Sequence, residues 1–175
     1  MKILAFAASN SIQSINKQLV ILASKQLGSH DVEIININDF ELPIYSIDLE
    51  TQFGIPDAVH AFRDKIAKAD GLLISFAEHN GGYTVAYKNL FDWASRVNMG
   101  VYQGTPTVML STSPGGGGAG NVLATAVNSA KYFEGNVVAS MSLPSFYENF
   151  DVDTGEIKDE KLKEKFRATV LALTA

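Results

Sequence analysis

Two hydrophobic rhythms alternate along this chain: short apolar runs, and stripes of apolar residues at three- and four-residue spacing. The run from Lys2 to Ala8 predicts a strand. After the polar stretch Ser9 to Ser14, Ile15, Leu19, Leu22, Ala23 and Leu27 share one face of a helix. Val32 to Ile37 predicts a second strand. An irregular link from Asn38 to Pro56 follows, and links of that length inside a domain usually serve function or a partner. Val59, Phe62 and Ile66 mark the next helix. Leu72 to Phe76 reads as a strand buried on both faces, broken by the polar turn Glu78 to Gly82. Beyond it Tyr83, Ala86, Tyr87, Leu90, Phe91, Ala94 and Val97 draw another helical stripe. Thr107 to Leu110 and Asn136 to Met141 are the fourth and fifth strands. They are followed by helices carrying Val122, Leu123, Ala126, Val127 and Ala130, and Leu162, Phe166, Val170 and Leu173.

Five βα units in succession predict an α/β fold with a parallel sheet between two helical layers. With five strands the expected order is 2-1-3-4-5, the flavodoxin-like three-layer sandwich. Residues 1–175 contain no linker and no internal repeat, so one domain is expected. In that order strands 1, 3 and 4 are neighbours. The three turns that follow them, Ser9 to Asn16, Glu78 to Gly82 and Ser111 to Gly118, would meet at the topological switch point, where such sheets bind ligands.

Composition narrows the ligand. The formal net charge is −5 with Lys and Arg scattered, so the basic footprint of a nucleic-acid binder is missing and a small-molecule partner is expected. Cysteine is absent, which excludes disulfides and thiolate chemistry and suits a reducing cytoplasm. The apolar start MKILAFAASNS is too short for a membrane span and reads as a first strand. A cytoplasmic protein without a membrane partner is expected.

The turns carry the candidate chemistry. Ser9, Ser11, Ser14 and Asn16 put short polar side chains and free N–H groups at a helix start, which makes a phosphate cradle; Ser14 alone would serve equally as an N-cap. Asn80 and Gly81 let the second turn bend tightly and offer N–H groups to a planar ligand. His79 is open to acid–base work or simple packing, and Glu78 to a base's role or that of a hydrogen-bond acceptor. Gly115, Gly117 and Gly120 spell G-x-G-x-x-G, but after the fourth strand rather than the first, so the expected reading is a flexible loop that a flat ring can approach. His30 and His60 have no metal-ligand spacing.

Together the turns resemble the NAD(P)H-dependent FMN reductase family, the flavodoxin-like group that includes quinone, azo-dye and chromate reductases. In that family the first loop runs G-S-x-R-x-x-S-x-N; here Ser9, Ser14 and Asn16 keep register while Ala8 replaces Gly and Ser11 replaces Arg. The second runs P-E-Y-N-G-S before a helix with L-K-N-x-x-D-W, matched by Ala77, Glu78, His79, Asn80, Gly81 and Gly82, then Tyr87, Lys88, Asn89, Asp92 and Trp93. Ser111, Ser113 and Gly115 match a third loop with serine before glycines.

The resemblance implies that Ser9, Ser11, Ser14, Ile15 and Asn16 hold the FMN phosphate, that Glu78, His79, Asn80 and Gly81 line the isoalloxazine, and that Ser113 and Gly115 close its pyrimidine side. It implies hydride transfer from NAD(P)H to flavin N5, then reduction of a quinone, azo compound, flavin or similar acceptor, with no catalytic side chain required. A homodimer or homotetramer is implied too, with Tyr45, Phe53, Ile55 and Trp93 as interface candidates, although core packing suits Trp93 as well. The departures carry expectations of their own. Losing the arginine predicts weaker FMN binding, to which Lys17 or Gln13 could respond, and Gly82 and Thr84 in place of serine and proline predict a looser second turn. The alternatives are a flavodoxin-like FMN electron carrier and a degenerate member with weak or lost FMN binding.

Overall fold

The elements of the computed structural model, which describes residues 1–175, follow the apolar rhythm. In chain order they are β1 (Lys2–Ala8), α1 (Ile15–Gln26), β2 (Asp31–Ile34), α2 (Ile47–Phe53), α3 (Asp57–Ala67), β3 (Gly71–Phe76), β4 (Glu78–His79), β5 (Gly82–Tyr83) and α4 (Val85–Val97). There follow β6 (Pro106–Thr112), α5 (Gly120–Ala130), β7 (Asn136–Leu143), α6 (Phe146–Asn149), β8 (Phe150–Asp151), β9 (Glu156–Ile157) and α7 (Glu160–Leu171).

The main sheet has five strands in the order β2-β1-β3-β6-β7, all parallel. Counting only its own strands, this is the flavodoxin-like order 2-1-3-4-5. The central strands β3 and β6 are buried almost throughout, whereas β2 and the first half of β7 are partly exposed, as edges should be. Strand alternation sorts the core into two layers. Leu4, Phe6 and Ala8 of β1 face α3, α4 and α5, while Ile3, Ala5 and Ala7 face α1 and α7. Phe6 is 1% exposed and packs edge-on against Phe62 at 5.8 Å between centroids. Burying one such ring contributes about 1.5–3 kcal/mol.

Three expectations need correction. The second strand stops at Ile34, because the Asn36 side chain accepts the Asn38 N–H and starts a short 3-10 turn over Ile37–Asp39. The Asn38 to Pro56 link is not irregular throughout. It contains α2, capped by Ser46 Oγ on the Leu49 N–H and favoured by Asp48 and Glu50 at its positive end. Tyr83 belongs to β5 rather than to the helical stripe, which begins after Thr84. The segment after β7, for which no element was expected, folds into α6 and the β8–β9 hairpin, fixed by Phe146 and Phe150 stacked at 4.6 Å.

Trp93 settles between two readings. Its ring is 1% exposed, its Nε1–H donates to the Pro43 carbonyl at 2.9 Å, and Tyr45 packs edge-on against it at 5.0 Å. It is a core residue that fastens the link to α4. No helix is long and apolar enough to cross a membrane.

Candidate active site

The first turn is organised by its serines. Ser14 caps α1, its hydroxyl accepting the Lys17 N–H at 3.3 Å, and Ser9 Oγ accepts the Ser11 N–H at 3.2 Å. The N–H groups of Ile15 and Asn16, in the first turn of α1, have no protein acceptor. They lie at the positive end of the helix dipole. Ser14 is therefore the N-cap, and its hydroxyl proton has no protein acceptor.

Asn16 does more than its position suggested. Its side chain is 2% exposed; Oδ1 accepts the Ser75 hydroxyl at 2.8 Å and the Thr112 N–H at 3.0 Å, while Nδ2 donates to the Thr112 carbonyl at 3.1 Å. One amide thus ties α1 to the ends of β3 and β6. The Asn16 side chain is spent largely on the protein, and its backbone N–H is the group left for a ligand.

The second turn is a two-residue hairpin. Glu78 pairs with Tyr83 and His79 with Gly82, leaving Asn80 (φ 52°) and Gly81 (φ 79°) at the tip. Positive φ at both central residues is the type I′ pattern, for which Asn-Gly is the preferred pair. The expected looseness is absent. Thr84 is 1% exposed, its hydroxyl donates to the Ala8 carbonyl at 3.1 Å and accepts the Tyr87 N–H at 3.2 Å, so threonine anchors the turn to the end of β1. Glu78 is a hydrogen-bond acceptor: its Oε2 takes the Val122 N–H at 2.9 Å, in the first turn of α5. His79 is exposed on the hairpin.

The third turn is pinned rather than flexible. Gly115 O accepts N–H groups from Gly118 at 3.1 Å and Ser145 at 3.0 Å, and Gly118 O accepts the hydroxyls of Ser111 at 2.8 Å and Ser142 at 2.7 Å. A Cβ at Gly118, where φ is 57°, would meet Ser142 Oγ and the Leu143 carbonyl, so the close approach there is between protein segments.

The three turns lie at the carboxyl ends of β1, β3 and β6 and enclose one cleft of about 250 Å³. Among its lining residues are Ser9, Ser11, Ser14, Ile15 and Asn16 from the first turn, Glu78 and His79 from the second and Ser113 from the third. Asn80 and Gly81 lie at the hairpin tip and Gly115 just past Ser113, outside that lining. Gln13, Ala77, Thr112, Pro114 and Tyr147 complete it. Tyr147 is 61% exposed and is carried by α6, which the Phe146 N–H fastens to the Ser113 carbonyl at 3.0 Å. The four-residue spacing of Phe146 and Phe150 was the sequence signal that could have found this turn.

The titratable side chains that line the cleft are Glu78, His79 and Tyr147; Tyr83, Tyr87 and Tyr102 lie outside its lining. Burial raises the phenols of Tyr83, Tyr87 and Tyr102 above their ordinary range, so all three stay neutral at physiological pH. Tyr87 and Tyr102 instead share a buried contact between hydroxyls at 3.4 Å. No group of three or more His, Asp or Glu side chains is placed to hold a metal ion. What the cleft offers is donors: N–H groups, hydroxyls and a helix end. These suit a phosphate joined to a flat ring, and they fit FMN.

Comparison with known proteins gives the same reading. The family model of NADPH-dependent FMN reductase matches residues 1–148. A 2-hydroxy-1,4-benzoquinone reductase from Burkholderia sp is 38% identical over 117 residues, 66% of this chain and 62% of that protein, so the match spans less than two thirds of its length. An NADPH:quinone oxidoreductase from Arabidopsis thaliana is 30% identical over 88% of this chain and 78% of its own length. Among solved structures, the flavoenzyme NAD(P)H:(acceptor) oxidoreductase FerB from Paracoccus denitrificans has a TM-score of 0.74 and 28% identity, covering 98% of this chain and 94% of that one. With this sheet order, these three turns and these matches, the chain belongs to the NADPH-dependent FMN reductase family, flavodoxin-like oxidoreductases that draw their electrons from NAD(P)H.

Proposed function

We propose that this NAD(P)H-dependent flavin oxidoreductase holds FMN in the cleft at the ends of β1, β3 and β6 and passes the electrons to a quinone. The observation that carries the proposal is the convergence of three separate turns on one cleft, where the Ile15 and Asn16 N–H groups have no protein acceptor. Residues 1–175 serve as one FMN-binding unit. Ser9, Ser11, Ser14, Ile15 and Asn16 receive the phosphate, Glu78, His79, Asn80 and Gly81 border the ring, and Ser113 with Gly115 borders its pyrimidine side. Bound FMN supplies the hydride-accepting and electron-donating centre.

The chain's own residues position and stabilise. The α1 N-terminus would offset the phosphate charge, and backbone N–H groups of the second and third turns would stabilise negative charge gained by the ring. Asn16 and Thr84 hold those turns at fixed spacing, so little reorganisation accompanies the electron transfer. No side chain needs to move a proton as acid or base.

Quinones are favoured as acceptors because relatives carry quinone reductase names and because the cleft is open, edged by exposed His79 and Tyr147, which suits a flat substrate. The same reading includes a homodimer or homotetramer. Exposed Ile44, Ile47, Phe53 and Val85 around α2 and the start of α4 are the surface that would be covered. A cytoplasmic working place follows from the need for NAD(P)H.

The test is steady-state oxidation of NADH and NADPH with 1,4-benzoquinone, with and without added FMN. The expected result is quinone-dependent oxidation that saturates with FMN and exceeds that of free FMN at the same concentration. FMN-saturated protein no faster than free FMN would overturn the proposal. Size-exclusion chromatography with light scattering checks the oligomer, and a monomer would remove that part alone.

A further inference from the structure

The residue that departs most from the family pattern is Ser11, which stands where the first loop usually carries arginine, so the phosphate end of the cleft lacks its usual cation. A second, smaller cleft of about 80 Å³ lies across the same turn. Ser9, Ser11 and Ser14 form the wall shared by the two clefts; Lys17 and Asn36 add the other polar groups of the small one, and Ala7, Ile12 and Ile35 its apolar side.

Two observations bear on what this wall can hold. Ser9 and Ser14 are 7% and 6% exposed as residues; the hydroxyl of each accepts one backbone N–H, and neither donates its proton to a protein acceptor. Lys17 stands in the first turn of α1, where the helix dipole opposes a positive charge, no acidic residue shares that turn, and the ammonium belongs to none of the four ion pairs of the molecule. A hydrated cation beside N–H groups that have no protein acceptor can share an anion with them.

We infer that Lys17 is the cation that binds the FMN phosphate in this chain, taking over from the missing loop arginine by reaching the same serine wall from the first turn of α1. This assignment rests on the FMN reading above. Gln13 lines the larger cleft and Lys17 the smaller, but Gln13 carries no charge, so it is the weaker replacement for a cation. A lysine contributes a point charge rather than a two-pronged grip, which predicts a contact that is strongly salt-dependent.

The experiment compares FMN with riboflavin, which shares the ring and lacks the phosphate, by titration of flavin fluorescence at low and high salt. Lys17→Met is expected to weaken FMN about tenfold and leave riboflavin unchanged, flattening the salt dependence of FMN binding. Lys17→Arg is expected to restore both. Lys17 is exposed, and circular dichroism verifies that each variant folds. Unchanged FMN affinity in Lys17→Met, or equal losses for the two flavins, overturns the assignment. So does a phosphate-selective loss in Gln13→Ala without one in Lys17→Met. A parent chain that binds neither flavin overturns the FMN reading and the assignment together, whereas a parent that binds FMN beside an unaltered Lys17→Met removes the assignment alone.

Discussion

Replacing Asn16 with alanine should loosen the cleft from inside the protein. The side chain makes three buried hydrogen bonds, to the Ser75 hydroxyl and to the N–H and carbonyl of Thr112. Each is worth about 1 kcal/mol net, and each partner left unpaired in a buried place adds to the cost. The loss should therefore reach about 3 kcal/mol, and for a chain of this size 1 kcal/mol moves Tm by about 2–4 °C, giving a fall of roughly 6–12 °C. Ser75→Ala is the internal control. It removes one of the three bonds and leaves Asn16 joined to Thr112, so its cost should be near 1 kcal/mol. Thermal melts followed by far-ultraviolet circular dichroism read both. FMN affinity should fall in parallel for Asn16→Ala, because the first and third turns lose their tie. A Tm change below about 2 °C, or equal costs for the two variants, would refute the reasoning.

Gly118→Ala should be among the most damaging single changes. The new Cβ would meet Ser142 Oγ and the Leu143 carbonyl at a backbone φ of 57°, and a loss of about 3 kcal/mol or more, seen in the same melts, is expected. Glu78→Ala should cost about 1 kcal/mol by uncapping the Val122 N–H, and Glu78→Gln, which keeps an acceptor oxygen there, should cost less; a large loss of kcat in Glu78→Gln at unchanged FMN affinity would make the carboxylate a participant. Glu50 is held below the usual carboxylate range by hydrogen bonds from Arg96 and then Tyr45, so its pairing stabilises the fold above the unfolded pKa of about 4.3 and is lost as pH falls through the lower folded value. Glu50→Gln should thus be less stable than the parent at neutral pH, with the gap closing in acid. A gap that stays constant down to pH ~2 would contradict that sign.

Hydrophobic rhythm was enough for the sheet because the strands that decide the order, β1, β3 and β6, are buried and read as unbroken apolar runs. It was also enough to bring the three turns to one edge. What it missed are elements whose order comes from polar or tertiary contacts. The α2 helix has no buried residue and stays in place through Tyr45 on Trp93 and Glu50 on Arg96, partners about forty or more positions away, so no local stripe announces it. Asn36 ends β2 by one side-chain hydrogen bond, which apolar patterning does not register. The Gly115 to Gly118 run reads as freedom in a sequence, yet it is fixed by acceptors that face Ser111, Ser142 and Ser145. At the site, Ser14 and Asn16 were legible as positions, but not the division of labour between them. Asn16 turns its side chain to the protein because Ser75 and Thr112, distant in sequence, offer complementary donors and acceptors. Tyr147 reaches the cleft only because Ser113 and Gly115 anchor α6.

The central claim, that the three turns together form an FMN site, is tested most directly by titrating the purified chain with FMN while following flavin absorbance and thermal stability on the same sample. A ligand that binds only the folded state at a hundred times its Kd adds about 2.7 kcal/mol. That corresponds to a rise in Tm of roughly 5–11 °C at about 2–4 °C for each kcal/mol. The account predicts a perturbed flavin spectrum saturating at about one FMN for each chain, with that rise in Tm. Unchanged spectrum and unchanged Tm at saturating FMN would contradict it.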